Sequence, residues 1–104
     1  MKYLITEEQL KSLGNRQMMN LVGRVIHSVY PEFNKKDVKI RRNGENEIYH
    51  ADGIFFARYY SSQTLQLNYP IYDLLESLLG ENIDNHIVDW FNNEFDKHAE
   101  EVFF

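Results

Sequence analysis

The chain has 104 residues, with 11 Lys/Arg against 16 Asp/Glu for a net charge of −5, 43% hydrophobic residues and no cysteine. That length suits one domain over residues 1–104 with a single core. The absence of cysteine excludes a disulfide framework and a thiolate metal site, and no apolar run approaches the roughly 20 residues of a membrane-spanning helix.

Before Thr6 the apolar stretch is too short for a secretion signal, so the expected location is the cytoplasm. Charge is unevenly distributed. Residues 1–70 hold ten Lys/Arg and seven Asp/Glu (+3), whereas residues 71–104 hold only Lys97 against nine acids (−8). An acidic C-terminal third repels phosphates and disfavours general nucleic-acid binding.

Residues 2–5 read as a short strand or an extended lead-in. Thr6-Glu7-Glu8-Gln9 then has the spacing of a capping box, with Ile5 placed to staple onto Leu10. A helix is expected from Glu7, and an apolar stripe (Leu10, Leu13, Met18, Leu21, Val22, Val25, Ile26, Val29) holds helical phase almost to Pro31. Gly14-Asn15 suits a helix C-terminus, which predicts helices over 7–13 and 15–29; one continuous helix is the alternative. Gly23 costs about 1 kcal/mol of propensity relative to alanine, so it marks close packing, expected against the sheet.

Val38 opens a strand on which Val38 and Ile40 face one way and Lys39 and Arg41 the other. Asn43-Gly44 signals a turn, expected to be longer than two residues because Glu45-Asn46 follows. A second strand is expected over 47–50, then a turn or bulge at Ala51-Asp52-Gly53. The best strand, 54–61, alternates Ile54, Phe56, Arg58 and Tyr60 against Phe55, Ala57 and Tyr59. After Ser61-Ser62-Gln63, a strand over 64–69 directs Leu65, Leu67 and Tyr69 inward. Pro70 precedes a helix with Ile71, Leu74, Leu75, Leu78 and Leu79 on one stripe, ended by Gly80. A last amphipathic helix with an acidic solvent face is expected over 82–100.

The predicted class is α+β: an antiparallel three- or four-stranded meander with N-terminal and C-terminal helices packed on one face. The element order is similar to that of the double-stranded-RNA-binding fold, but the acidic second helix stands where that family presents lysines to phosphate.

No motif commits the chain to a reaction. His50 and Asp52 flank Ala51 beside a glycine turn, but a metal or proton-transfer site needs a third group, with Glu45 and Glu47 the near candidates. His86 and His98, twelve residues apart, do not converge on a helix. There is no nucleophile elbow, phosphate loop or dinucleotide fingerprint. The expectation is no enzyme, no catalytic residue, no metal ligand and no cofactor.

The aromatic surplus and the basic strand point to contact with another protein. A sheet covered on one side leaves tyrosines on the other, where they bury large area with few rotors. The candidate partner-binding residues are Tyr49, Phe55, Tyr59, Lys39, Arg41, Phe103 and Phe104. The alternative is that both faces are covered within the chain. Val102-Phe103-Phe104 is either the last turn packing home or an exposed apolar hook. The partner is a protein or a second copy; neither nucleic acid nor a membrane is expected.

The opening, MKYLITEEQLKSL, resembles the starts of many small proteins encoded by tailed bacteriophages, in which a short apolar lead-in is followed by Ile-Thr-Glu and a helix. The resemblance covers about the first thirteen residues and transfers no functional residue. It implies a small virion component, or an accessory protein that inhibits a host nucleic-acid-binding protein, in the cytoplasm of the host cell or built into a virion.

Overall fold

A computed structural model describes residues 14–80 and 82–104. The expected strand over 2–5, the capping box at Thr6 and the helix over 7–13 lie outside the described residues. The described order is α1 (Asn15–Val29), β1 (Lys39–Asn43), β2 (Asn46–Ala51), β3 (Ile54–Tyr59), β4 (Thr64–Leu67), α2 (Tyr69–Leu79), α3 (Asp84–Phe95) and β5 (Glu101–Phe103).

α1 begins where its stripe predicts, but Gly14 serves as its N-cap in an extended conformation (φ −76°), not as the left-handed end of an earlier helix. The Gln17 side chain accepts a hydrogen bond from the Gly14 N–H (3.0 Å), satisfying one of the donors a helix start leaves free. Met18, Leu21, Val22, Val25 and Ile26 are buried, and Val29, at the end of the same stripe, is exposed.

The strands form one five-stranded sheet in the order β1-β2-β3-β4-β5. Pairing is antiparallel from β1 through β4. Asn43 pairs with Asn46, so the first hairpin loop is only Gly44-Glu45, shorter than expected. Gly44 takes φ +64° and carries the turn, as the first position of a two-residue type II′ loop requires. Asp52 (φ 53°) and Gly53 (φ 74°) are both left-handed and close the next hairpin as a type I′ turn.

The alternation expected along β3 does not hold. Tyr49 pairs with Ala57 and His50 with Phe55, so Phe56 is an extra residue, a β-bulge. Phe56 and Ala57, adjacent in sequence, are both fully buried. Phe56 meets Phe33, Trp90 and Phe95, while Tyr59, in phase with Ala57, meets Phe91. Both phases of β3 therefore reach α3, and no period-two reading of the sequence would show it.

Two further elements differ from expectation. Tyr69 lies at the start of α2 and is 57% exposed instead of pointing inward from β4. α3 stops at Phe95, where Asp96 adopts a left-handed conformation (φ 56°). Asn92 then fastens the departing chain, its amide donating to the Ala99 carbonyl (2.9 Å) and its carbonyl accepting from the Ala99 N–H (2.7 Å). The Glu100 N–H donates to the Gln63 carbonyl (2.8 Å), and β5 pairs in parallel with β4. The C-terminus is thus a fifth strand, not the last turn of a helix.

One hydrophobic cluster joins all three helices to Tyr49, Ala51, Phe56, Ala57, Leu65 and Leu67 of the sheet. The helices accordingly cover one sheet face, as the α+β reading requires. Gly23 marks a close approach, but to α3 and not to the sheet: a Cβ there would lie 2.7 Å from Trp90 Nε1.

Candidate interaction surface

Directly opposed residues in a sheet project to the same face, so the pairing registers sort every strand residue. On the helix face run the rows Ile40–Tyr49–Ala57–Leu67 and Arg42–Glu47–Tyr59–Leu65–Val102. On the opposite face one row crosses all five strands, Arg41–Ile48–Arg58–Gln66–Phe103, with Lys39–His50–Phe55 beside it. None of the residues in these two rows belongs to the core cluster, although Ile48 is only 6% exposed. Among the described residues no helix covers this side, and we call it the open face.

The open face is basic and aromatic. Lys39 and Arg41 are exposed, His50, Phe55, Arg58, Tyr60 and Gln66 are half-buried, and Phe103 is exposed. The polar and aromatic groups order one another. Tyr60 Oη donates to Gln66 Oε1 (3.2 Å), the Arg58 guanidinium carbon lies 5.9 Å from the Tyr60 ring centre, and the Tyr60 and Phe103 rings are 5.9 Å apart. A guanidinium over an aromatic face keeps its charge while its hydrophobic plane is covered. Such a surface suits an anionic or mixed polar-aromatic protein contact.

Of the seven residues expected to bind a partner, the structure places Lys39, Arg41, Phe55 and Phe103 on this one face. It moves two to the other side. Tyr49 is fully buried and so presents no surface. Its ring packs edge-on against Phe91 and Phe95, and its Oη donates to Glu47 Oε1 (3.1 Å). Burial, and then the charge and hydrogen bond of Glu47, hold the Tyr49 phenol well above its ordinary pKa. Tyr59 is half-buried against Phe91, with Lys97 Nζ 5.9 Å from its ring centre. Phe104, 56% exposed, turns toward α2, where its ring meets Tyr72 and Tyr69.

The buried Glu47 ties that internal cluster together. Lys97 Nζ lies 2.8 Å from Glu47 Oε1 and Arg42 Nη2 3.5 Å from Oε2. Burial raises the carboxyl pKa, but hydrogen bonds from Lys97 and Tyr49 and the charges of Lys97 and Arg42 outweigh it and leave the group below its usual value. Glu47 therefore stays ionised and links the edge strand, the sheet and the segment after α3.

Arg58 and Tyr60 are half-buried open-face residues that sequence reasoning did not select; Ile48 is on the same face but, at 6% exposure, presents no surface. Sequence reasoning grouped Arg58 and Tyr60 with Phe56 because the bulge was invisible. His50 and Asp52 do not form a shared site: His50 is in the Lys39–Phe55 row and Asp52 is exposed in the turn. Among the described residues no three of His, Cys, Asp and Glu are grouped to hold a metal ion, and no helix is long and apolar enough to cross a membrane.

The acidic residues lie chiefly with the helices. Asp73, Glu76, Asp84 and Asp89 are exposed on α2 and α3, and Asp96, Glu100 and Glu101 are exposed after α3. Asp84 accepts a hydrogen bond from Tyr72 Oη. Glu94 lies 3.7 Å from His27 Nε2 and accepts from the Lys35 N–H (3.2 Å), so it has a structural task.

Fold and surface define an α+β domain with one sheet face sealed by helices and the other bearing cations and aromatic rings. No family model, curated protein or solved structure matches the chain.

Proposed function

We propose that this chain is a non-enzymatic protein–protein interaction domain, a small phage-encoded structural or assembly component, that docks through the open face of its sheet. The observation that supports this reading is the clustering of the exposed Lys39, Arg41 and Phe103 with the half-buried Phe55, Arg58 and Gln66 on one sheet face, around a buried Ile48. Aromatic and arginine side chains of this kind supply most of the binding energy at protein interfaces. The mechanism is docking of a protein, a second copy or a foreign chain, with the cations orienting the encounter.

The test is solution mass by light scattering, over a range of salt, for the wild type and for Phe55→Ala/Arg58→Ala. A mass above the 12.5 kDa monomer that falls in the variant is the expected result for self-docking. For a foreign partner, the expected result is a host protein co-purifying with the wild type and lost with the same variant. A monomer whose host contacts are indifferent to both substitutions overturns the reading.

A second reading is favoured by the segregated acids of α2 and α3: an accessory protein that occupies the basic surface of a host nucleic-acid-binding protein. Glu94 and Asp84 are internally engaged, so the informative variant is Asp73→Asn/Glu76→Gln/Asp89→Asn. Loss of a basic host partner with this variant, and not with the open-face variant, would favour the second reading over the first.

A further inference from the structure

The two edges of the sheet are complementary to each other. β1 is exposed along its whole length, with Ile40 at its centre 49% exposed, and among the described residues no strand lies beyond it. At the other edge β5 carries Glu101, Val102 and Phe103, preceded by the exposed Glu100.

Strand direction alternates from β1 to β4, and β5 runs parallel to β4, so β1 and β5 of one molecule point in opposite directions. A second copy set beside β5 in the same orientation presents its β1 antiparallel, with both helix layers on one side. Face phase then restricts the register. Ile40 and Val102 both belong to helix-face rows, while Lys39, Arg41 and Phe103 belong to open-face rows. Placing Ile40 opposite Val102 sets Arg41 opposite Glu101, Arg42 opposite Glu100 and Lys39 opposite Phe103. Two of these pairs are ionic, one is apolar and one sets an ammonium against a ring.

The helix side of the β5 edge fits the same alignment. A cleft of about 270 Å³ lies there, lined by Asp84, Asn85, Val88, Glu100, Glu101 and Val102. Arg42, on the helix-face row of β1, is the side chain this register brings to it. Its own Glu47 contact leaves the Arg42 side chain 75% exposed, with donors to spare.

We propose that copies of this chain assemble head to tail, β5 of one pairing antiparallel with β1 of the next and continuing the sheet. Pairing β1 with β1 in face phase sets cations against cations, Arg41 on Arg41 or Lys39 on Arg41, which is repulsive. The edge cations thus block self-pairing and select an acidic edge. Because the two surfaces differ, the contact is heterologous and propagates as a filament or closes as a ring. The proposal rests on the reading of the chain as an interaction domain and adds a contact with a second copy through the sheet edges, separate from docking through the open face.

Charge exchange between the exposed Arg41 and Glu101 tests it. Sedimentation mass is read for the wild type, Arg41→Glu, Glu101→Arg, the double variant and an equimolar mixture of the two single variants. The wild type is expected above monomer mass, falling as salt rises. Each single variant should weaken association by about tenfold or more, and the double variant should restore it. The mixture should also associate, since each protein supplies the edge the other lacks. A wild-type monomer at all salt concentrations, or single variants that keep the wild-type mass, overturns the proposal. In the latter case loss of mass with Phe55→Ala/Arg58→Ala would still uphold open-face docking, so the two failures are distinguishable.

Discussion

Glu47 is a carboxylate that the sequence places in a strand and the fold places among tyrosines. Replacing it with Gln removes the charge that Lys97 and Arg42 face, and the expected loss of stability is about 1–3 kcal/mol by urea unfolding at neutral pH. The pH dependence has a definite sign. Because the folded carboxyl titrates below its ordinary value of 4.5, its contribution is complete above that value and disappears as pH falls through the lowered one. The Glu47→Gln variant should therefore show a flatter acid limb than the wild type. Tyr72 behaves in the opposite sense. Burial, then the hydrogen bond to Asp84 and the charges of Asp84 and Glu76, push its phenol from 10.0 up to about 12. Its stabilisation is full below 10.0 and is lost as pH rises through about 12. Tyr72→Phe should cost about 0.5–1.5 kcal/mol at neutral pH and reduce the alkaline fall, with Tyr49, shifted in the same direction, supplying what remains.

At the scale of elements, the contact between α1 and α3 depends on a missing side chain. Gly23→Ala gains about 1 kcal/mol of helix propensity, but the new Cβ meets the Trp90 indole at 2.7 Å. That ring is itself held between Phe56, Phe95 and His27. Overpacking of this kind costs about 1–3 kcal/mol, so the thermal midpoint should fall despite the better helix former. β5 depends on Asn92, whose side chain closes both hydrogen bonds to Ala99. Asn92→Ala should speed hydrogen exchange at Glu100 and within β5 while leaving Thr64 and Gln66, whose backbone groups face β3, protected; equal acceleration throughout would show instead that β5 is not held locally. The helix stripes, the Gly80 stop and the meander were readable because each is a local pattern of period 3.6 or 2. The bulge at Phe56 was not, since an extra residue in a strand is defined by its partner's register. Nor was β5, since parallel pairing joins segments with no local turn between them.

For the whole molecule, part of the charge separation in sequence is a separation in space, with Lys39, Arg41, Arg42 and Arg58 on β1 and β3 and acids along α2, α3 and the β5 edge. Head-to-tail assembly stabilises the folded state by mass action. The thermal midpoint of the wild type should consequently rise with protein concentration, and that of Arg41→Glu should not. Added salt should remove the concentration dependence, because exposed charges are screened within about 10 Å at 0.1 M.

Composition and periodicity alone established the α+β class, the helix over 15–29, the meander and the acidic C-terminal third. Lys39 and Arg41 were legible as surface candidates because charge and strand phase are local properties, whereas Phe55 was selected in a phase shared with Ala57 and Tyr59 that the bulge breaks, and Phe103 as a helix end or a hook and not as a strand residue. Tertiary structure alone decided that Tyr49 and Tyr59 belong to the helix face, that Arg58 and Tyr60 belong to the open one, and that the C-terminus is an edge strand. Each of those outcomes depends on which strand lies beside which and in what register, and register is set by long-range packing of the aromatic core.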